Sequence, residues 1–176
     1  GDGSGTVTSG PAGIDCGSDC EEAFPYGTDV TLYPVSAATS TFTGWGGALQ
    51  CLNGQVTMNE HLRCSARFDL VYHDLTVSLA GSGSGIVTSS PAGIDCGSDC
   101  SASFVQTTTV TLATAPAAGS TFAGWTGDAD CSDGQVVMTA DRSCTAWFEL
   151  QTALAFADGF ESGDTRAWSA TVPVTP

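Results

Sequence analysis

From Leu75 the chain reads Leu-Thr-Val-Ser-Leu, apolar at every second position. That is the pattern of a strand with one face buried and the other in water. The same period of two recurs at Val110 and Leu112, at Val136 and Met138, and at Ala146 and Phe148. Between these segments stand Gly-Ser-Gly-Ser-Gly, Ser-Ser-Pro-Ala-Gly, Ala-Pro-Ala-Ala-Gly-Ser and Ser-Asp-Gly-Gln, compositions that turn a chain rather than extend it. Strands are predicted over 75–80, 85–90, 101–105, 109–115, 120–125, 135–138 and 143–150. No window longer than one turn carries the helical period. Room for a single helical turn exists in Met58–Cys64 and Met138–Cys144, just before the last strand of each half. The expected fold class is all-β.

Shifted by 80 positions, the sequence falls on itself without a gap, and residues 1–70 match residues 81–150 at 39 of 70 positions. Pro11–Cys20 and Pro91–Cys100 are the same ten residues. Both Phe-x-Gly-Trp motifs, Phe42–Trp45 and Phe122–Trp125, stand in register. Repetition at this level implies two equivalent units. The organisation expected is a repeat over 1–70, a second over 71–150 and a tail over 151–176, with two small sandwich-like modules set end to end. Trp45 and Trp125 follow a strand and a glycine at the same place in both units. They are expected, with Phe42 and Phe122, to cap the core rather than to stack on a sugar.

The two repeats are not equally furnished. The strand at 75–80 leads into Gly-Ser-Gly-Ser-Gly, whereas residue 1 already stands inside the corresponding Gly-Asp-Gly-Ser-Gly. Within this sequence the first repeat is therefore expected to lack its first strand and to expose an apolar groove and an unpaired edge, the alternative being that the strand was removed by truncation or proteolysis. Past the second repeat, Phe148-Glu149-Leu150 is followed by Leu154-Ala155-Phe156-Ala157, much as Phe68-Asp69-Leu70 is followed by the strand at 75. The segment 152–157 is a candidate donor strand, with Leu154, Ala155, Phe156 and Ala157 carrying the contact. Donation into a neighbouring copy would be heterologous and would build an open filament. Thr171–Pro176 alternates more weakly, its prolines confine it to an edge or a free extended tail, and it is a second, weaker candidate donor.

Eight cysteines at repeated spacing read as a disulfide framework made in an oxidising compartment. The nearest-neighbour pairing is Cys16–Cys20, Cys51–Cys64, Cys96–Cys100 and Cys131–Cys144. Four cysteines per repeat permit three pairings, and spacing does not choose among them. A zinc reading is disfavoured by Cys-x3-Cys spacing and by the presence of only two histidines. A core built from about 70 residues is thin, and staples worth about 2–4 kcal/mol each are the usual remedy.

Charge narrows the functions further. Nineteen Asp and Glu stand against four Arg and no Lys, a net charge of −15. Such a surface repels phosphate backbones and anionic lipid, so neither nucleic acid nor membrane is an expected partner. Without lysine there is no Schiff-base chemistry. No apolar run approaches a membrane span, and no basic-then-apolar leader opens the chain, so any export signal is expected to have been removed already or to lie outside this sequence. Catalysis is not expected. His61 and His73 are the only imidazoles, Asp141 stands where His61 stands, and Glu21-Glu22 becomes Ser101-Ala102. Asp15 and Asp19 recur inside the cysteine turn, where a turn-capping role explains them. No cofactor is expected. The one candidate for Ca²⁺ is Asp158, Glu161 and Asp164, a carboxylate set without EF-hand spacing.

Leu75–Gly85, Pro91–Cys100, Thr109–Trp125 and the closing Cys144–Phe148 together resemble the divergent InlB B-repeat, of which Phe-x-Gly-Trp before a short final strand is the most specific mark. The resemblance spans both repeats. It implies a compact β-rich module related to the β-grasp, arrayed in tandem on secreted and surface proteins. It implies no shared catalytic residues and a role as stalk, spacer or adhesive. The late fourth cysteine departs from the commoner form. Asp158–Trp168 resembles an ending found on secreted proteobacterial proteins. The function expected is an extracellular structural subunit polymerising with copies of itself. The alternatives are a surface adhesin that binds glycan or protein through Tyr26, Tyr33 and Trp147, or a passive spacer.

Overall fold

The computed structural model describes residues 1–151. The first repeat holds β1 (Gly5–Gly10), β2 (Asp15–Cys16), β3 (Asp29–Ser36), β4 (Ser40–Gly47), β5 (Gln55–Thr57) and β6 (Cys64–Leu70). The second holds β7 (Tyr72–Ala80), β8 (Gly85–Ser90), β9 (Asp95–Cys96), β10 (Ser101–Val105), β11 (Thr109–Pro116), β12 (Ser120–Gly127), β13 (Gln135–Val137) and β14 (Arg142–Leu150). No α-helix forms among the described residues. The single helical turns lie at Leu49–Cys51 and Ala129–Cys131 and are of the 3-10 type. They do not lie at Met58–Cys64 or Met138–Cys144, where the sequence left room for them. The reason is that Met58 is still engaged with the chain before β3. Its N–H donates to the Thr28 carbonyl at 2.9 Å and its carbonyl accepts from Gly27 at 2.9 Å.

One sheet recurs in both repeats, in the order β2-β1-β3-β5 and again β9-β8-β11-β13. The other does not. In the second repeat it has four strands, β10-β7-β14-β12, and in the first only β4-β6. Leu75 and Val77 from the one sheet and Val87, Val110, Leu112 and Val136 from the other share a single buried cluster. The second repeat is thus two open sheets facing each other across a core. Its sheet centre is β7, antiparallel to β10 and parallel to β14, with Leu75 opposite Arg142 and Ala80 opposite Trp147.

The Phe-x-Gly-Trp motif gains its meaning here. Residues three apart in a regular strand face opposite sides. Between Phe42 and Gly44 the pairing of β4 with β6 slips by one residue, a bulge, and the same happens between Phe122 and Gly124. The extra residue turns Phe42 and Trp45 to the same side. Their ring centroids are 5.1 Å apart, edge to face, and Phe42 lies 5.6 Å from Phe68. Gly44 at φ 148° and Gly124 at φ 146° occupy backbone that side-chain-bearing residues avoid, which is why the motif carries a glycine there.

All eight cysteines are bridged. Cys51–Cys64 and Cys131–Cys144 tie each 3-10 turn to its last strand, while Cys16–Cys20 and Cys96–Cys100 close the turn after the two-residue strands. Within the latter turn Asp15 and Asp19 exchange backbone hydrogen bonds of 2.9 and 2.8 Å. The Asp19 carboxylate accepts from the N–H of Glu21.

Candidate functional site: the open strand position of the first repeat

The second repeat shows what β7 does for its neighbours. Leu75 and Val77 are buried, at 0% and 2% exposure, and with them Cys96, Met138, Cys144 and Ala146, each of these four at 0%. Backbone bonds hold the strand on both flanks. Its Val77 N–H donates to the Cys100 carbonyl at 2.8 Å, so the disulfide turn is itself part of the seat. Side chains fix its start. The Asp141 carboxylate accepts from the Asp74 N–H at 2.9 Å and lies 3.6 Å from the His73 ring, and Gln106 is 3.1 Å from the other ring nitrogen. Ser103 donates to the Asp74 carboxylate.

No described residue stands in the β7 position of the first repeat. The consequence falls on the side chains that β7 would cover. Ile14, Cys16, Phe24, Met58, Cys64 and Ala66 are all only partly buried, whereas Ile94, Cys96, Phe104, Met138, Cys144 and Ala146 are buried. Residues 21–25, the counterpart of β10, form no strand, because their ladder partner is absent. The turn that follows β7 is nonetheless conserved in shape between the repeats. Gly83 donates to Phe148 O at 2.9 Å and Gly3 to Phe68 O at 3.0 Å. Among the described residues β6 pairs with β4 alone, and its other edge borders these partly buried apolar side chains.

Exposure of the Cys16–Cys20 turn gives this slot a chemical signature. Cys16 is half-buried and Cys20 exposed, while Cys96 is fully enclosed and Cys100 half-buried. Under limiting reductant with maleimide trapping, mass spectrometry is expected to find Cys16 and Cys20 labelled well before Cys96 and Cys100. Equal labelling of the two turns would contradict an open slot.

The chain leaves the two repeats in the same way. Val71 N–H donates to Thr39 O at 3.0 Å as the chain passes from β6 into β7, and Gln151 N–H donates to Gly119 O at 2.8 Å as it leaves β14. The proposed contact residues Leu154, Ala155, Phe156 and Ala157 lie outside the described residues, as do Asp158, Glu161 and Asp164, the set considered for Ca²⁺. Phe42, Trp45, Phe122 and Trp125 all pack against the cores of their repeats. Tyr26 and Tyr33 are exposed at 84% and 52%. Trp147 keeps an exposed ring while its indole N–H donates to Thr126.

The charged rim of the slot was legible in the alternation but was not read from it. Along β6 and the residues before it, Leu62, Cys64, Ala66 and Phe68 face the core, and His61, Arg63, Ser65 and Arg67 face out. Arg67 bonds the Asp69 carboxylate at 3.1 Å and holds it below the usual aspartate range. Stabilisation from that pair is present above the ordinary aspartate value and is lost as pH falls through the lowered one. Among the described residues no three His, Cys, Asp or Glu side chains gather as a metal site.

The architecture is that of a small, disulfide-stapled module of open β-sheets. Residues 75–152 match the family of the divergent InlB B-repeat domain, a match that begins at the innermost residue of β7 and takes in the whole of the second repeat from there. No curated protein and no solved structure matches the chain. A B-repeat fits a module of a surface protein. Four disulfides fit an extracellular setting. No described helix is long and apolar enough to cross a membrane.

Proposed function

We propose that this chain is a non-enzymatic extracellular structural subunit that joins head to tail, each copy completing the first repeat of the next with an extended segment of its tail. The observation that carries the reading is the internal contrast between the repeats. The same floor residues are sealed by β7 in one and left half-exposed in the other. A strand entering the slot would gain a backbone ladder along β6 and bury alternate apolar side chains, the two elements of β-augmentation.

The tail of a second copy is the occupant favoured by pattern and by launch. Leu154 and Phe156 stand two apart, as Leu75 and Val77 do. Gln151 makes to Gly119 the same bond that Val71 makes to Thr39 just before β7. Three residues separate Leu150 from Leu154, against four between Leu70 and Leu75. A slip of one residue would turn Leu154 and Phe156 outward. The junction between copies is therefore shorter than the junction within one by about 3.3 Å, the advance of one strand residue.

Sedimentation velocity and negative-stain microscopy test this directly. The wild-type chain is expected to form linear oligomers that grow with concentration. The double substitution Leu154→Asp, Phe156→Asp is expected to leave monomers whose circular dichroism is unchanged. A stable monomer at high concentration, or normal assembly after deletion of 152–157, overturns the proposal.

A further inference from the structure

Two side chains set the outer face of β12 and β14 apart from the same face of the first repeat. Trp147 stands where the first repeat has Arg67, and Thr126 where it has Gly46. The two are joined, since the indole N–H of Trp147 donates to the Thr126 hydroxyl at 2.9 Å. In the first repeat Arg67 turns instead to the Asp69 carboxylate. The bond holds the indole in one orientation and satisfies its one polar atom, so what Trp147 offers a ligand is an apolar face.

The surroundings keep that face clear. Trp147 lies opposite Gly124 on β12 and beside Ala80 on β7, so neither neighbouring strand sets a long side chain next to it. A Cβ at Gly124 would meet no atom within 4 Å, so the ground opposite the indole is open. On the same face of β14 the next residues are Thr145 and Glu149, and Thr145 pairs with Thr126 on one side and Ser78 on the other. A fixed aromatic face bordered by hydroxyls and one carboxylate suits a ligand with an apolar face and a polar edge.

We infer that Trp147 is the stacking platform of a carbohydrate site on the second repeat, taking neutral chains of β-linked glucopyranose units. In such a sugar every ring substituent is equatorial. Its C–H face lies flat on an indole while its hydroxyls point sideways, toward Thr126, Thr145, Ser78 and Glu149. Charge makes the ligand neutral, because Glu149 stands next to the indole and the chain carries a net charge of −15, which repels uronic acids and sulfated sugars. The inference uses the second repeat alone and stands apart from the assembly reading.

The test is the intrinsic fluorescence of the full chain, below the concentration at which it assembles, titrated with cellotetraose, chitotetraose and a sulfated cellotetraose. Stacking on one indole is expected to give a Kd on the order of 1 mM, and its fixed orientation lowers the ordering cost. At least one neutral sugar should change the emission along a saturating curve, and the sulfated one should bind about tenfold more weakly. Trp147→Arg places in the second repeat the residue that the first already accommodates, so it should keep the wild-type circular dichroism and lose the response. Thr126→Val, which releases the indole, should weaken binding about threefold. No saturable response to either neutral sugar, or a response unaltered in both variants, would overturn the inference. Equal binding of the sulfated sugar would overturn the choice of a neutral ligand. If the emission of Trp147 changes with protein concentration in the absence of sugar, the face is a contact between copies and the inference falls.

Discussion

Unfolded in urea below the concentration at which it assembles, the chain is expected to lose its first repeat well before its second. The two share most of their core residues, so their stabilities would be alike but for β7. That strand brings Leu75 and Val77, at 0% and 2% exposure, into the second core and encloses Met138, Cys144 and Ala146. Burying two such side chains contributes about 3–6 kcal/mol, enough to separate the two midpoints clearly. Hydrogen-exchange mass spectrometry followed through the transition reports on each repeat by its own peptides. The amides of β3 and β6 should exchange at lower urea than those of β11 and β14. A single transition with equal protection of both repeats would mean that the first slot is not empty in solution.

Shortening Leu75 to alanine is expected to pull the second repeat down toward the first. Leu75 has no solvent exposure and lies at the centre of the core cluster with Phe104, Val110 and Phe148. Deleting a side chain of this size from such a site costs about 2–5 kcal/mol, because the cavity left behind adds to the lost transfer energy. The measurement is the upper midpoint in the same urea experiment, which should fall while the lower one stays in place. Maleimide labelling at Cys96 and Cys100 under limiting reductant should rise in the same variant, since the Val77–Cys100 bond that seats the turn depends on β7. An unchanged upper midpoint would show that β7 contributes little, and would remove the energetic ground for an occupant in the first repeat.

These two results bear on assembly through mass action. A segment that binds only the folded first repeat raises its stability with concentration. A subunit with one incomplete module is then stabilised by its neighbour, and the least stable part of the free chain becomes the joint of the assembled one. The wild-type chain should therefore show its lower midpoint rising with protein concentration while the upper one does not.

Much of this molecule is written locally. Alternation marked the strands at Leu75–Ala80, Thr109–Ala115 and Ser143–Leu150 because a half-buried ribbon needs an apolar residue at every second place. The 80-residue offset, and with it the imbalance between the repeats, is a property of the letters alone. Other features needed the third dimension. Phe42 and Trp45 share a face through a bulge whose register depends on β6, a strand more than twenty residues away. Phe24 and Phe104 sit in closely similar sites of the two repeats, yet only Phe104 lies in a strand, because a strand exists where a partner offers a ladder and not where its own residues favour one. The parallel pairing of β7 with β14 joins residues nearly seventy apart, and no local pattern records it. Sequence thus determined which segments extend and which faces are apolar, since those follow from side chains taken one segment at a time. Which strands lie side by side was decided by tertiary pairing, because hydrogen bonds between strands are made with whatever the fold brings alongside.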